Sequence, residues 1–376
     1  MSEKAASKAT PEKLRILVAG DLRLDAPFTG LTPEGARQRR AESRSAFRSL
    51  AAYAREARIS YIVFAGNLTE NAFLTGETAA FLLDVFAEYK DVTFVLAGGD
   101  AEPYGSRTLY FSHRFPKNFC VFPDKGLTRF DFDGISFYGY LGTSENPETV
   151  IFEGKKPADD ERFHVLVGYA ASPTDSLLDA VSAFGADASI LGSGRFTGVR
   201  TYRETPLVLS TGAAEGRGFS VTGFGSVAEL EFSRDSEGKC KVLCTPRTYS
   251  TRQYLDLTLN VSGAERSGEI RDRIASFIDL QGYGEETYLR LTLVGSLPIE
   301  MTRPDVSEDF GLYGLTLVDN TLPNLDTDYL RRDMSVRGEL YRSLEGGLLA
   351  ASEEDRRAVA AAIRLGLAAL DDRDPS

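Results

Sequence analysis

Imidazole is nearly missing from this chain: His113 and His164 are the only two histidines in 376 residues. A site that needs several imidazoles therefore cannot be assembled from one subunit. Cysteine is also scarce. Cys120, Cys240 and Cys244 make an odd set of three, too few for a disulfide framework and in keeping with a reducing compartment. Cys240 and Cys244 have CxxxC spacing, but no second pair completes a zinc site; on a strand they would face the same side as buried apolar thiols. There is no run of about 20 apolar residues to span a membrane. The opening MSEKAASKATPEK is polar and lacks the apolar stretch of a signal peptide, so residues 1–13 read as a disordered tail on a cytoplasmic protein. Positive charge is in deficit as well: 43 Lys and Arg against 55 Asp and Glu give a net charge of -12. This excludes nucleic-acid binding through the whole surface; any such contact would need a local basic patch.

What is present is ordinary globular material, 42% hydrophobic and 26% charged. The length suggests roughly two domains of about 150 residues each. LRILVAG (14–20), ISYIVFAG (59–66) and VTFVLAG (92–98) are apolar strands, separated by helical periodicity over 33–58 and 77–89. That order implies parallel βαβ units. Beyond residue 119 short strands crowd together, with one clear helix near 174–184, which reads as a mixed sheet or two stacked sheets. A second unit starts near TPRTYSTRQ (245–253). It has a strand (254–261), a helix (265–280) whose Ile270, Ile274, Phe277 and Ile278 share one face, and strands at 288–295 and 315–320. From 325 the chain is helical. Leu340, Leu344, Leu348 and Leu349 form one stripe; Val359, Ile363, Leu367 and Leu370 form another. Such stripes face either a core or a partner.

Each of the first three strands ends in a loop with ligand-type residues: GDLRLD (20–25), GNLTE (66–70) and GGDAEPY (98–104); later strands end in VGYA (167–170) and LGSGR (191–195). Carboxylates just past parallel strands are where α/β sheets place their chemistry. In order and spacing, these loops resemble the set that builds the dinuclear site of calcineurin-like metallophosphoesterases. DLRLDAPFTGL (21–31), TGAAEGRGF (211–219), TPRTYSTRQYLDLTLNVSG (245–263) and LRRDMSVRGEL (330–340) resemble the SbcD/YhaO-like DNA repair exonuclease branch of that family, over about residues 14 to 370. The resemblance implies an α/β fold: a mixed β-sandwich flanked by helices (14–246), a small α+β capping domain (247–324) and a C-terminal helical segment (325–376).

The family's metal positions are largely replaced. Asp21 keeps the first Asp, but Arg23 stands for the first His, Asn67 for the bridging Asp and Asp100 for the metal-binding Asn. Ala101 stands for the catalytic His, Gly168 for the later lone His, and Ser193 and Arg195 for the last two His. Two-metal hydrolysis needs two cations about 4 Å apart. The family uses Mn- or Fe-type ions, and a guanidinium cannot ligate them. No metal or other cofactor is expected here. In the family fold, the positions of Arg23 and Arg195 serve the same metal. The expectation is an Arg–Asp–Arg cluster in which Arg23 and Arg195 flank Asp21; the alternative is that both arginines point into solvent over an eroded pocket.

The resemblance implies a catalytically inactive homologue acting as a scaffold or regulatory subunit. Its implied partner is a coiled-coil, SMC-like ATPase in DNA repair or DNA-end processing, docked on C-terminal helices through Leu340, Leu344 and Leu348, with indirect contact to DNA. The family commonly dimerises, so a homodimer is among the implied assemblies; no membrane is. The alternative is an active metal-dependent phosphoesterase or exonuclease with a rebuilt site, drawing on Asp21, Asp25, Asp100 and Glu102 as a carboxylate rim for Mg or Mn. A third reading lets Arg23 and Arg195 clamp a phosphate. Arg37, Arg40, Arg44 and Arg48 on one helical face could add a basic surface, or simply form a solvated face.

Overall fold

The computed structural model describes residues 13–28, 30–102, 108–123, 126–140, 152–298, 310–349 and 352–370. The chain divides into two compact units, residues 1–253 and 254–376. The expected tail lies outside the described residues except for Lys13, which opens the first strand.

The first unit is built on strand β1 (Lys13–Gly20), which alternates strictly. Leu14, Ile16 and Val18 enter one core and Leu17 and Ala19 another. Both faces of β1 are thus buried, which is why it reads as a continuous apolar run. Helix α1 (Pro33–Glu56) follows, with Pro33 in its first turn and the Thr32 hydroxyl accepting from Gly35 N. Both are N-terminal signals that fix where the helix starts. Strand β2 (Tyr61–Ala65), helix α2 (Gly76–Glu88) and strand β3 (Thr93–Ala97) complete the βαβ series. A four-residue helix α3 (Leu109–Ser112) and strand β4 (Phe119–Val121) come next. β1, β2, β3 and β4 are parallel neighbours in that order.

Strands β5 (Thr128–Phe132), β6 (Ile135–Gly139), β7 (Phe163–Tyr169), β8 (Ala188–Thr197), β9 (Val199–Glu204) and β10 (Leu207–Ala213) form the second layer. Helix α4 (Asp175–Phe184) lies between β7 and β8 in the chain. The layer runs β10-β8-β7-β6-β5, with β9 on β10. β10 meets β1 only at the Gly20 and Ala213 pair, so the two layers are joined there and diverge. Strand β11 (Gly223–Arg234) returns antiparallel to β1.

Ile16, Val63 and Val95 meet Phe137, Val165 and Ile190 in the core between the layers. Helices α1 and α2 cover the outer face of the first layer through Phe47, Leu82 and Phe86, and α4 covers the second through Leu177 and Val181. Each such side chain contributes about 1.5–3 kcal/mol when fully buried. This is a mixed β-sandwich flanked by helices, the architecture the resemblance implies. Because β1, β2, β7, β8 and β10 share one polarity, their C-terminal ends open on one side.

Strand β12 (Cys240–Asn260) is continuous across the boundary between the units. The strand expected at 254–261 thus starts earlier, at Cys240. Cys240 and Cys244 are half-buried against the inter-layer core, as thiols on one strand face.

The second unit contains the end of β12, helix α5 (Ser267–Gln281), strand β13 (Thr287–Leu297) and strand β14 (Gly314–Pro323), parallel to β13. Ile270, Ile274 and Ile278 pack on Leu289, Leu291 and Leu293. Helices α6 (Thr327–Arg332), α7 (Val336–Leu344) and α8 (Glu353–Leu370) end the chain. Leu340, Leu344 and Leu348 are half-buried against Leu330, Tyr341, Ile363 and Leu367, so that stripe faces the unit's own helical core. Among the described residues, no helix is long and apolar enough to cross a membrane.

Candidate functional site

The loop after β1 is bent unusually hard. Asp21, Arg23, Asp25 and Phe28 all have positive φ, at 42°, 48°, 68° and 49°. An L-residue in that region costs roughly 1–2 kcal/mol, so other contacts must hold the loop. Some are backbone: Arg23 N donates to Asn67 O (3.0 Å), Leu24 N to Leu68 O (2.9 Å), and Glu70 N to Leu24 O (2.8 Å). They lace the loop after β1 to the loop after β2. The others are charges.

Asp21 is fully buried. Its Oδ1 accepts from Arg23 Nε (3.0 Å) and Asn67 Nδ2 (2.6 Å). Its Oδ2 accepts from Arg217 Nη2 (2.6 Å), while Arg217 Nη1 donates to the Asp21 carbonyl (3.0 Å). Arg23 is the hub. Its remaining nitrogens reach two more carboxylates, Nη1 to Glu70 Oε2 (3.0 Å) and Nη2 to Asp100 Oδ1 (2.8 Å). One guanidinium thus joins acids from three strand-end loops. Asp100 Oδ1 also accepts from Asn67 Nδ2 (2.8 Å). The cluster is closed at its base, where Asp21 sits, and open at its rim, where the Asp100 side chain is 58% exposed.

Burial alone would raise the Asp21 pKa, but the Arg217 and Arg23 charges and the Asn67 and Arg23 hydrogen bonds outweigh it and hold it below the ordinary carboxylate range. Burial opposes the charge on Arg23, yet Asp21, Glu70 and Asp100 together push its pKa up. Tyr169 adjoins the cluster and bonds Arg23; burial and the Asp21 and Asp100 charges push its phenol up to about 12. Its ring lies directly on Gly66, leaving no room for a Cβ there.

A dinuclear metal centre does not fit these residues. The Asp21 carboxylate oxygens already accept three hydrogen bonds, two of them from guanidiniums. The Asn67 carbonyl oxygen, a potential ligand in the sequence, accepts from Ala101 N at 2.9 Å instead. A divalent cation about 4 Å from the Arg23 guanidinium would be repelled by roughly 8 kcal/mol at an effective dielectric constant near 20. Among the described residues no group of three or more His, Cys, Asp or Glu has metal-holding geometry.

The structure gathers Asp21, Arg23, Asn67, Asp100 and Ala101, but corrects the expected partner of Arg23. Arg195 lies within β8 with an exposed side chain, and Arg217 supplies the second guanidinium on Asp21. Backbone from β8 does reach the cluster: a Cβ on Gly194 would lie 2.5 Å from Asp21 Oδ2. Ser193 Oγ closes a local turn, donating to Ala171 O (2.8 Å) and accepting from Arg195 N (3.2 Å). Gly168 packs against the Tyr140 ring.

The expected carboxylate rim of Asp25 and Glu102 is also corrected. Both are buried. Asp25 accepts from Thr75 N, Thr75 Oγ1 and Thr78 Oγ1 at 2.7–2.8 Å. Glu102 accepts from Leu68 N, Thr69 N, the Thr69 hydroxyl and Tyr110 OH. His113 follows α3 on the surface. His164 lies inside β7, its Nδ1 3.3 Å from Tyr138 OH.

The basic face of α1 is largely paired: Arg37 with Glu34, Arg44 with Glu77 and Asp25, and Arg48 with Glu88. Sequence reasoning missed Arg217 and the buried Arg39, which pairs with Glu215 and Glu42. The signal for Arg217 was its place in AEGRG, just past β10, in another loop on the site's side of the sandwich.

No family model matches the chain, and no curated protein does. Several solved structures are similar. Vps29 of Chaetomium thermophilum matches 63% of this chain and 99% of its own at 13% identity, with a TM-score of 0.29. TT1561 of Thermus thermophilus matches 61% of this chain and 98% of its own at 13% identity, with a TM-score of 0.36. A dimetal phosphatase from Danio rerio matches 63% of this chain and 99% of its own at 12% identity, with a TM-score of 0.36. These likenesses are distant, and the layered architecture rests on its own strand order.

Proposed function

We propose that the chain is an inactive homologue of the calcineurin-like metallophosphoesterases, of the SbcD/YhaO-like branch, that works by binding rather than turnover. One observation carries the reading: the Arg23 guanidinium bonds Asp21, Glu70 and Asp100 at once, at 2.8–3.0 Å. A tethered cation neutralises the acids that a metal would need. It also commits all three guanidinium nitrogens of Arg23 to carboxylates, leaving less of its charge for a substrate phosphate. The proposed role is that of a scaffold or regulatory subunit for a coiled-coil, SMC-like ATPase in DNA-end processing. The sequence resemblance supports that partner. Leu340, Leu344 and Leu348 are engaged within the chain's own helices, so the proposed docking falls on the outer surface of the C-terminal segment.

The test uses the full-length protein, loaded with Mn, dialysed and measured by elemental analysis, then assayed on a phosphodiester reporter and on DNA ends. The expected result is far below one Mn per chain and no metal-dependent turnover. Near-stoichiometric Mn, or turnover abolished by Asp21→Ala, would favour the active enzyme with a rebuilt site. Co-purification of the full chain with a coiled-coil ATPase is the expected partner result; its absence would remove the scaffold assignment to that ATPase.

A further inference from the structure

The ion pairs around Asp21 do not stop at Asp21. Arg217 donates to Asp21 and also to the Glu215 carbonyl, at 3.4 Å. The Glu215 carboxylate accepts from Arg39, and Arg39 Nη1 donates to Glu42 Oε2 at 2.6 Å. Glu42 in turn accepts from Arg252, at 3.1 Å from Nε and 2.6 Å from Nη2. Acids and guanidiniums alternate from Glu70 and Asp100 through Arg23, Asp21, Arg217, Glu215, Arg39 and Glu42 to Arg252, with the Arg217 rung made to the Glu215 carbonyl; burial pushes the Glu215 carboxyl up to about 7 against the neighbouring Arg39 and Arg217 charges. The chain of contacts starts at the strained loop after β1, passes through the loop after β10 and helix α1, and ends on β12. Asp21, Arg39 and Glu215 are buried to 2% exposure or less. Arg39 also stacks over Phe28, 5.2 Å from its ring centroid, and Phe28 is the last of the loop's non-glycine residues with positive φ.

We propose that this ladder is a latch that couples Arg252 on β12 to the loop carrying Asp21 and Arg23. The proposal deepens the inactive-site reading and rests on its guanidinium plug. Two features make a latch rather than a static brace. The loop at one end is held in left-handed backbone conformations by contacts it does not supply alone, so weakening those contacts releases stored strain. The other end lies nearer the surface: the Arg252 side chain is 15% exposed, against 0% for Arg39. A binding event that draws the guanidinium from Glu42 leaves Glu42 to compete for Arg39. That weakens the hold of Arg39 on Glu215 and Phe28, and through them the hold on the loop. Burial opposes ionisation of Glu42, yet its Arg252 and Arg39 hydrogen bonds pull the carboxyl down to about 2, as expected for a rung ionised at neutral pH.

Arg252→Met keeps the aliphatic stem and removes the charge. Amide hydrogen exchange on the full-length, metal-free protein should accelerate at least tenfold at Arg23, Leu24 and Ala26, whose amides are bonded in the native loop, while β2 and β3 keep wild-type rates. A double-mutant cycle of Arg252→Met with Arg217→Met should be non-additive, changing the unfolding equilibrium constant at least fivefold less than the two singles combined. Residues several contacts apart that share no partner normally add. Glu42→Gln, which keeps the shape but removes the charge and one acceptor oxygen, serves if Arg252→Met fails to fold, with the same two readouts. Acceleration confined to α1 and β12, together with an additive cycle, would overturn the latch. The readouts need no metal or substrate, so that result leaves the inactive-site reading standing, and a positive metal assay leaves the coupling measurement intact.

Discussion

Asp21 and Glu102 are both buried carboxylates, in the loops after β1 and β3, and they are held in opposite ways. Asp21 meets two guanidiniums and an amide, and its pKa lies below the ordinary range. Glu102 meets neutral donors: Leu68 N at 2.7 Å, Thr69 N at 3.1 Å, and the Thr69 and Tyr110 hydroxyls. Burial pushes its pKa up to about 7 even though all four hydrogen bonds pull it down. Similar burial thus goes with opposite pKa shifts, and the difference is the internal cation. Arg23 and Arg217 are what allow the Asp21 cluster to stay ionised.

Removing a cation should break the comparison most sharply. Arg23→Ala strips the shared partner from Asp21, Glu70 and Asp100 and should destabilise the protein by about 3–5 kcal/mol, the range for one partner lost from a buried pair. Chemical denaturation at pH 7 reads this directly. The acid side should move too. A carboxylate with a depressed folded pKa contributes stability that is present above its unfolded value, near 3.8, and is lost as pH falls through the folded value. In the variant the folded pKa rises towards or past the unfolded one, so that contribution shrinks or changes sign and acid unfolding begins at higher pH. An unchanged acid midpoint would mean that Arg217 alone sets the charge state of Asp21.

Glu102→Gln sharpens the other side. With a folded pKa of about 7 against 4.5 unfolded, Glu102 binds its proton more tightly in the folded state. Its contribution is fully present below pH 4.5 and is lost as pH rises through 7. Glutamine has no such titration. Relative to wild type, the variant should therefore gain stability between about pH 4.5 and 8, by up to roughly 3 kcal/mol. Parallel stability curves across that window would place the Glu102 pKa near its ordinary value.

Much of this architecture was legible because it is written in periodicity. The β1 run alternates between two cores, and the apolar faces of α1, α2 and α5 follow helical spacing. Strand β12 was not legible as one element, since 246–248 are exposed on both faces and show no alternation. The site was half legible. Asp21, Arg23, Asn67 and Asp100 come from loops whose register is fixed by parallel pairing, so their convergence followed from strand order. Glu102 was not legible as a buried acid, because its donors come from the loop after β2 and from α3, and nothing local to Gly-Asp-Ala-Glu announces them. The second guanidinium was not legible either. Both Arg195 and Arg217 stand next to glycines near strand ends, and side-chain direction there depends on where the strand stops.

That last ambiguity yields the smallest predicted effect. Strand β8 runs on to Thr197, so Arg195 is still inside a strand, and it is the Gly194 backbone that faces Asp21. The chain after β10, by contrast, leaves its strand at Ala213, and Arg217 turns back to grip both the side chain and the carbonyl of Asp21. Arg195→Ala should therefore change stability by no more than about 0.5 kcal/mol, the usual range for an exposed substitution, and leave the acid midpoint where it is. Arg217→Ala, the same chemical change in the loop after β10, should approach the loss expected for Arg23→Ala, because it leaves Asp21 Oδ2 buried without its donor. Measured side by side by chemical denaturation, the two variants differ only in which element, strand β8 or the loop after β10, loses its guanidinium. Equal losses would mean that Arg195 also grips the cluster in solution, and that Asp21 is held by three arginines rather than two.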